Sequence, residues 1–364
     1  MGSSSHRANV LNSERLSPVQ WVRSKVVGSA AVLAIVVGLG TLSACTSGSN
    51  NADNASPLPS SSPVSTNSTP QNVAQSNVVR IGYQKYGTLF LLKARGNLDE
   101  RLKAQGTSVQ WIQFPAGPQL LEALNTGSVD YGSTGETPPV FAQAAGAPLI
   151  YAANEPPDPT GEAILVAKDS PIKTVADLKG KKVVLNKGSN VHYLLVRALE
   201  EAGLKYSDIQ AIYLPPADAR ATFEKGSVDA WVIWEPFLTV AKKATGARVL
   251  KDGMGLVANR QFYLVAKPFA EQYPDRVQAV IEETQKVNEW AKGNAKEAAT
   301  ILSPQVGIDV ATLTEILQGR SYGITQPVKP DVVDYQQKIA DAFLSLKLLP
   351  KPIAVKDVAQ LPKP

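Results

Sequence analysis

One short pattern occurs twice in this sequence of 364 residues and constrains its architecture more than any other feature. Residues Leu124–Asp130 read LNTGSVD and residues Phe223–Asp229 read FEKGSVD, and each copy precedes a predicted strand and a turn. The copies start 99 residues apart, which is too far for a solenoid repeat and suits two similar α/β lobes. If Gly-Ser-Val-Asp is only a convenient turn, a helix–turn–strand unit still occurs once in each half. We therefore expect two lobes, joined by a hinge near Glu162–Lys168 and again near Asn259–Lys267.

Short β-rich runs alternate with helix-period stretches from Val78 onward, which is typical of an α/β fold with mostly parallel strands. The predicted strands are Val78–Tyr83, Val129–Gly132, Ala163–Ala167, Lys182–Asn186, Ala211–Leu214, Val228–Ile233 and Gln261–Ala266. We place lobe I at 78–165 and 266–364, and lobe II at 166–265.

Three helices have readable ends, because each is followed by a glycine. They are Thr88–Arg95, Pro118–Thr126 and Val191–Ala202. A further short helix should open at the capping box Thr174–Asp177. Beyond Pro268, amphipathic stretches such as Arg276–Lys292 and Val332–Leu346 predict a helical tail that packs back on lobe I.

The first 45 residues have the three parts of a secretory signal. A basic start is followed by the apolar run Val26–Gly40 and then by Leu42-Ser-Ala-Cys45. The alternative is a membrane-spanning anchor, but spanning usually needs about 20 apolar residues. Residues 42–45 resemble the bacterial lipobox, which predicts that Cys45, the only cysteine, carries the lipid attachment. The protein should then lie outside the cytoplasm, in the periplasm, anchored to a membrane.

A segment rich in Ser, Thr, Asn and Pro follows at residues 46–77, with Asp53 as its only charged residue. Such a composition cannot bury enough apolar surface to order itself, so we predict a disordered linker. It would let the folded part move over a membrane surface while it stays attached.

Charge and composition exclude several function classes. Residues before Cys45 contribute +3 of the formal net charge of +5, and no basic stripe with interleaved aromatic residues follows, which argues against nucleic-acid binding. His192 is the only histidine after the signal, and neither a Walker loop nor a GxGxxG motif follows a strand. We therefore predict that the protein is not an enzyme and has no cofactor and no metal.

Polar residues follow four predicted strands, at the edge where open α/β sheets bind ligands. Ser133, Thr134 and Gly135 lie at one such end, and their hydroxyl and amide groups suit an oxyanion. Gly188, Ser189 and Asn190 lie at another, where glycine permits close backbone approach at a helix start. The alternative is that both groups are ordinary helix caps. An anion held in this way would be bound by amide and hydroxyl hydrogens, without arginine.

Further candidates lie at the remaining strand ends. Gln84 could donate an amide hydrogen or serve structure alone, and Trp234 could cover an alkyl chain or fill the space between lobes. His192 could donate to an anion, but capping or packing is the alternative. Glu136, Glu155 and Glu235 lie near the predicted cleft, where they could act as acid and base, bond backbone amides, bridge lobes or meet an ammonium group.

Several long stretches make the resemblance to a known family specific. They are Arg80–Lys85, Phe114–Leu124, Gly132–Gly146, Asn186–Tyr193, Leu214–Arg220 and Trp231–Pro236. From Val79 to about Lys356 the chain resembles the aliphatic sulfonate-binding proteins of bacterial ABC importers, within the sulfonate, taurine and nitrate solute-binding group. Two positions depart from the pattern: Tyr86 is an extra residue in the first loop, and Arg260 stands where histidine is expected.

The resemblance implies a two-lobed type II periplasmic-binding fold with a hinge and a ligand cleft between the lobes. It also implies the ligand class, an alkanesulfonate, and the partners, a membrane permease and its ATPase. The residues it implies for the site are Gln84, Ser133, Thr134, Gly135, Ser189, Asn190 and Trp234, with Glu136 and Glu235 in the cleft wall. Tyr86 is expected to contact the organic tail and to narrow the site.

Alternative functions remain open at this stage. A taurine-type ligand could pair its ammonium with Glu235 or Glu136, and a nitrate-type anion belongs to the same importer class. An enzyme on this fold, such as one that makes a pyrimidine precursor, and a sensor that signals to a membrane receptor are alternatives from other classes. We expect a monomer that does not bind nucleic acid.

Overall fold

The computed structural model describes residues 77–359. The predicted signal, the lipid attachment at Cys45 and nearly all of the linker lie outside the described residues. Ten strands are described: β1 (Val78–Tyr83), β2 (Ser108–Gln113), β3 (Tyr131–Gly135), β4 (Leu149–Asn154), β5 (Glu162–Val166), β6 (Lys182–Leu185), β7 (Gln210–Tyr213), β8 (Ala230–Trp234), β9 (Arg248–Asp252) and β10 (Gln261–Ala266).

The strands form two sheets with the same internal order. The first sheet runs β2-β1-β3-β10-β4 and the second runs β7-β6-β8-β5-β9. In each sheet the first three strands are parallel, and the fourth, β10 or β5, is antiparallel to its neighbours. The chain leaves the first sheet after β4 and enters the second with β5, and it returns to the first sheet with β10. It therefore crosses between the sheets twice. The predicted α/β class is confirmed.

The repeated pattern forms the same hydrogen bonds in both sheets. Asp130 donates its N–H to the carbonyl of Arg80 over 2.8 Å, and its carboxylate accepts the N–H of Arg80 over 2.8 Å. Asp229 makes the same pair of bonds to Lys182, at 2.9 and 2.8 Å. Gly127 and Gly226 turn the chain between helix and strand with φ of 72° and 70°, a region that favours glycine. Gly-Ser-Val-Asp therefore fixes a helix–turn–strand unit once in each sheet.

Twelve α-helices surround the sheets within the described residues. They are α1 (Thr88–Arg95), α2 (Asn97–Lys103), α3 (Gly117–Asn125), α4 (Pro138–Ala144), α5 (Asn190–Glu201), α6 (Pro216–Glu224), α7 (Phe237–Thr245), α8 (Lys267–Gln272), α9 (Pro274–Gly293), α10 (Ala295–Val306), α11 (Val310–Gly319) and α12 (Pro330–Ser345). The helical tail is confirmed: α9 packs on α1 and α2, and α12 packs on α4, so the tail covers the first sheet. The capping box at Thr174 is present and opens a 3₁₀ turn.

Three strands were not predicted, namely β2, β4 and β9. Leu149–Asn154 is buried along its whole length, so it lacks the alternation that marks a half-buried strand. Arg248–Asp252 is a partly exposed edge strand with three charged residues, which lowers its apparent β-propensity. Among residues 77–359, no helix is both long enough and apolar enough to cross a membrane.

Candidate functional site

A cavity of about 60 Å³ lies where the strand ends of the two sheets face each other. Six of the residues predicted for the site line it: Gln84, Tyr86, Gly135, Ser189, Asn190 and Trp234. Its wall also includes Glu155, Asp158, Asn259, Gln261 and Arg320, which were not predicted as ligand contacts. Both sheets thus contribute to one site, at the edge where the fold class predicts it.

Asn190 and Gly135 bring the two lobes into contact at this cavity. A Cβ atom on Gly135 would lie 2.7 Å from Oδ1 of Asn190, so only glycine fits at the end of β3. The side-chain amide of Asn190 donates to Oδ1 of Asn259 over 2.9 Å and also to the carboxyl of Glu162. Because both amide hydrogens are used, the side chain of Asn190 is tied to the two connecting segments at Glu162 and Asn259 and is not a free donor for a ligand. This corrects the prediction that its side chain grips the anion.

The predicted hydroxyl donors have partners inside the protein. Ser189 donates its hydroxyl hydrogen to the carbonyl of Asn186 over 2.7 Å, and Thr134 donates to Gly135 over 3.0 Å. Ser133 and Thr134 are buried in β3 and are not part of the cavity wall, although the carbonyl of Ser133 accepts from Gln84 over 3.3 Å. Ser189 does lie at the wall, where α5 begins at Asn190, so helix-start N–H groups adjoin the cavity.

His192 lies outside the cavity wall, in an aromatic cluster between the lobes. Its ring packs against Phe141 and Phe343, with ring centroids 6.4 and 5.0 Å away. Burial, assisted by the charge of Lys187, lowers the pKa of His192 to about 3, so the ring is neutral. Nδ1 accepts the N–H of Gly188 over 3.2 Å, which leaves the hydrogen on Nε2, 2.9 Å from the hydroxyl of Tyr206.

These contacts correct two predictions. His192 packs the lobes together through its ring, and both of its nitrogens already have partners. Gly188, with φ of 74°, makes the turn into α5, and its N–H donates to His192. It is not part of the cavity wall.

The two predicted glutamates lie beside the cavity and not in its wall. Glu136 is fully buried and accepts the N–H of Arg260 over 3.0 Å, and burial raises its pKa to about 7. Glu235 accepts both the N–H and the hydroxyl of Thr239, at 3.2 and 2.7 Å, and so starts α7. It lines a neighbouring cavity of about 210 Å³, which also borders on Tyr86 and Arg320. Both side chains therefore shape the surroundings of the cavity.

Arg320 is the main residue that the sequence argument missed. It follows α11, its side chain is only 6% exposed, and its Nη2 atom lies 2.5 Å from Oε2 of Glu155. The same Nη2 donates to the hydroxyl of Thr88 over 3.1 Å. Burial alone would lower the pKa of Arg320, but the negative charge of Glu155 raises it, so the guanidinium stays charged. No local sequence pattern marks Arg320, because its partners Thr88 and Glu155 are distant in the chain.

A buried network holds this arginine in position. Glu155 accepts hydrogen bonds from Thr88 over 2.8 Å and from Tyr263 over 2.5 Å, while Asn288 donates to Thr88 over 3.0 Å. Within residues 77–359, Nη1 and Nε of Arg320 make no hydrogen bond, so two of its edges are available to a ligand. A buried guanidinium fork with fixed geometry is suited to oxyanions.

Three more side chains can donate into the cavity. Tyr86, Trp234 and Gln261 line it, and their side chains have no hydrogen-bond partner among the described residues. Burial raises the pKa of Tyr86, so its phenol keeps the proton that it could donate. The guanidinium of Arg320 lies 5.4 Å from the Tyr86 ring centroid, so the aromatic ring lies directly beside the cation.

Asp158 adds a carboxyl group to the wall. Burial raises its pKa, although the charge of Arg320 opposes the shift. The described residues contain no group of three or more His, Cys, Asp or Glu side chains that could hold a metal ion. The chemistry that the cavity offers is therefore hydrogen bonding and charge, from one buried arginine, the carboxyl groups of Glu155 and Asp158, and several neutral donors.

Comparison with known proteins shows the family of this chain. The sequence profile of the family described as NMT1/THI5 like matches residues 102–298. A protein of Escherichia coli K12 that carries the name of an aliphatic sulfonates-binding protein is 45% identical over 278 residues, which are 76% of this chain and 87% of the relative.

Solved structures lead to the same group. The periplasmic aliphatic sulphonate binding protein SsuA from Escherichia coli is 45% identical with a TM-score of 0.71, over 79% of this chain and 93% of its own. The alkanesulfonate-binding protein SsuA from Xanthomonas axonopodis pv. citri, bound to MOPS, is 40% identical with a TM-score of 0.73, over 78% and 97%. The predicted two-lobed periplasmic-binding fold is confirmed.

Proposed function

This chain belongs to the NMT1/THI5-like family and, within it, to the aliphatic sulfonate-binding proteins, and on that premise we propose that it delivers sulfonates to an ABC importer. It is the extracytoplasmic solute-binding component, and its ligand is an aliphatic sulfonate. The observation that carries the proposal is the cavity between the two sheets, with Arg320 on one wall and the start of α5 on the other.

The sulfonate oxygens face three kinds of donor in this arrangement. Nη1 and Nε of Arg320 supply charge-assisted hydrogen bonds, the N–H groups at the start of α5 supply a helix terminus, and Tyr86 and Gln261 supply neutral donors. Each hydrogen bond to a charged group contributes about 1.5–3 kcal/mol, and immobilising the ligand offsets part of the sum, so micromolar affinity is expected. Such an affinity suits capture followed by release.

Ligand contacts to both lobes would favour the closed form. A molecule held by Arg320 and by the start of α5 loses one set of contacts when the lobes separate, so binding shifts the population toward closure. The hinge-linked closure is the signal that a membrane permease and its ATPase would detect. The lobe boundaries that we propose follow the sheets. The sequence predicted lobes at 78–165 with 266–364 and at 166–265, but β5 (Glu162–Val166) belongs to the second sheet and β10 (Gln261–Ala266) to the first, so both divisions shift to the starts of these strands.

Isothermal titration calorimetry tests the ligand class. The purified protein is titrated with methanesulfonate, longer alkanesulfonates, nitrate and sulfate. Alkanesulfonates should bind at micromolar concentrations and more tightly than nitrate or sulfate, because Trp234 and Tyr86 contact the organic part. Binding of nitrate or sulfate alone would contradict the proposal.

A taurine-type ligand is a second candidate, because a carboxyl group lies in the cavity wall. The carboxylates first considered for its ammonium, Glu136 and Glu235, have partners elsewhere, whereas Asp158 lines the same cavity as Arg320. Taurine and ethanesulfonate are titrated against wild-type protein and Asp158→Asn. If taurine is the ligand, the substitution should weaken taurine far more than ethanesulfonate. An equal loss for both ligands rejects this candidate.

The proposed role is binding without catalysis. The cavity offers donors and one fixed cation, and the lone described histidine, His192, is buried away from it. Overnight incubation of the protein with ethanesulfonate, followed by mass spectrometry of the ligand, should recover it unchanged. Stoichiometric conversion would place the chain among the enzymes that share this fold.

Attachment to a membrane by a lipid on Cys45 is also part of the proposal. Its support is the signal-like sequence before Cys45 and the extracytoplasmic location of similar proteins. The full chain and its Cys45→Ser variant are expressed in a bacterium and fractionated. The wild-type protein should sediment with membranes and carry a mass increase at its N-terminus, and the variant should do neither. Equal release of both proteins would exclude the anchor.

A further inference from the structure

A groove of about 470 Å³ adjoins the cavity and shares Gln84, Tyr86 and Trp234 with it. Apolar side chains from both lobes line it, among them Phe114 on the first and Phe237 on the second. A molecule whose head occupies the cavity can therefore extend past Tyr86 and Trp234 into an apolar channel.

The sizes of the two spaces assign different parts of a ligand to them. One water-sized group needs roughly 10–15 Å³ of such space, so a cavity of about 60 Å³ accepts about five non-hydrogen atoms. A sulfonate group and its first carbon have that number. Every further atom of a longer sulfonate must lie in the groove, which is several times larger.

The charges of the groove differ from those of the cavity. Lys85 and Arg220 both line the groove, from opposite lobes, and no Asp or Glu does so among the described residues. Lys85 is exposed and makes no ion pair within residues 77–359, while Arg220 uses Nε to contact Glu224 over 2.6 Å and has its two terminal nitrogens free. The cavity, in contrast, has the carboxyl groups of Glu155 and Asp158 in its wall.

We propose that the groove is a second subsite, which selects sulfonates that carry another anionic group at the far end of an apolar tail. The sulfonate lies in the cavity, the tail lies along Phe114 and Phe237, and the distal anion meets Lys85 and Arg220. Because these two cations belong to opposite lobes, the distal group adds a second bridge across the cleft. This inference rests on the proposed function, since it requires a sulfonate in the cavity.

Paired ligands test the subsite by calorimetry. Sulfonates that end in a carboxylate are compared with alkanesulfonates of the same carbon count, through a series of increasing chain length. At the chain lengths that reach both cations, the sulfonate that ends in a carboxylate should bind about fivefold more tightly than the matched alkanesulfonate at low ionic strength. This ratio of affinities should fall in high salt, because both cations are solvent-accessible. In Lys85→Gln/Arg220→Gln the affinity ratio should fall to about 1.

Matched controls and a short ligand separate the outcomes. Lys103→Gln and Arg197→Gln remove an exposed lysine and a helix-surface arginine paired with Glu200, and both should keep the wild-type ratio. An affinity ratio of 1 or less at every chain length overturns the subsite, and so does a preference that survives in the double variant. In either case, binding of methanesulfonate leaves the proposed function standing. If methanesulfonate and all other sulfonates fail to bind, the proposed function fails and the subsite fails with it.

Discussion

The two walls of the cavity are built in different ways. The wall from the first sheet contains Arg320, which is fixed by Glu155 and Thr88 and comes from a loop more than 150 residues away from them. The wall from the second sheet contains Ser189 and Asn190, where a strand passes directly into α5. One wall is charged and assembled from distant segments, and the other is neutral and local. Loss of the first should therefore affect both folding and binding, and loss of the second mainly binding.

The largest expected effect follows from Arg320→Met. The substitution leaves Glu155 buried without its countercharge, which costs about 3–5 kcal/mol of unfolding free energy. Loss of charge-assisted bonds should also weaken alkanesulfonate binding about 100-fold. Urea unfolding and calorimetry measure the two effects. Arg197→Met, which removes an ion pair with Glu200 in which both side chains are exposed, should change stability by about 1 kcal/mol or less and leave binding intact.

A double variant keeps this prediction testable if the single variant unfolds. Arg320→Met/Glu155→Gln removes both charges, so most of the lost stability should return. Binding should not return, because the oxyanion still lacks its cation. Recovery of binding in the double variant would show that Arg320 serves the fold alone.

The next effect concerns pH. Burial raises the pKa of Glu136 to about 7, so between its unfolded pKa of 4.5 and pH 7 the folded state binds more protons than the unfolded state. Stability should then fall as the pH rises through that window, by about 3 kcal/mol for this group. Urea unfolding at pH 5 and pH 8 gives the change in unfolding free energy between the two pH values, and Glu136→Gln should remove the contribution of this group to that change. The exposed control Glu122→Gln should leave the pH dependence of stability unchanged. If Glu136→Gln also leaves it unchanged, the raised pKa of Glu136 is contradicted.

Gly135→Ala tests the contact between the walls. The added methyl group would lie 2.7 Å from Oδ1 of Asn190, so the lobes cannot approach as closely, and overpacking of this kind costs about 1–3 kcal/mol. Alkanesulfonate affinity should fall about tenfold or more. Gly293→Ala, where no atom lies within 4 Å of the added carbon, should bind normally. Equal affinity for both variants would mean that the walls do not need this contact.

The smallest effect is expected from Trp234→Leu, on the second wall. Trp234 borders both the cavity and the groove, so the loss should grow with ligand chain length and reach about 1 kcal/mol, or roughly fivefold. Calorimetry across the alkanesulfonate series measures the trend, with Trp290→Leu as the control, because Trp290 lines neither the cavity nor the groove. If affinity falls by the same factor for every chain length, Trp234 does not contact the alkyl tail of the ligand.

The contrast between the walls also explains what could be predicted from sequence. Ser189, Asn190, Gly135 and Trp234 lie at strand ends, and a local pattern of strand, turn and helix locates them without knowledge of the fold. Arg320 could not be found in this way, because its partner Glu155 and the cavity meet it only after the helical tail has packed on the first sheet.

Residue roles were harder to predict than residue positions. Hydroxyl and amide side chains at a helix start can serve a ligand or the protein, and Ser189, Thr134 and Asn190 serve the protein in this structure. His192 shows the same limit, since aromatic rings from α4 and α12 pack against it only in the folded protein. The two sheets themselves were predictable because Gly-Ser-Val-Asp fixes the same turn twice.

One crystallographic measurement tests the central claim that an anion lies between Arg320 and the start of α5. The sequence has sulfur only at Met1, Cys45 and Met254, so anomalous scattering from a bound ethanesulfonate would stand out from the protein's own sulfur atoms. We expect a sulfur peak in the cavity, with the sulfonate oxygens within hydrogen-bonding reach of the Arg320 guanidinium on one side and of the free N–H groups at the start of α5 on the other. A bound ethanesulfonate whose sulfur peak lies outside that cavity would contradict it.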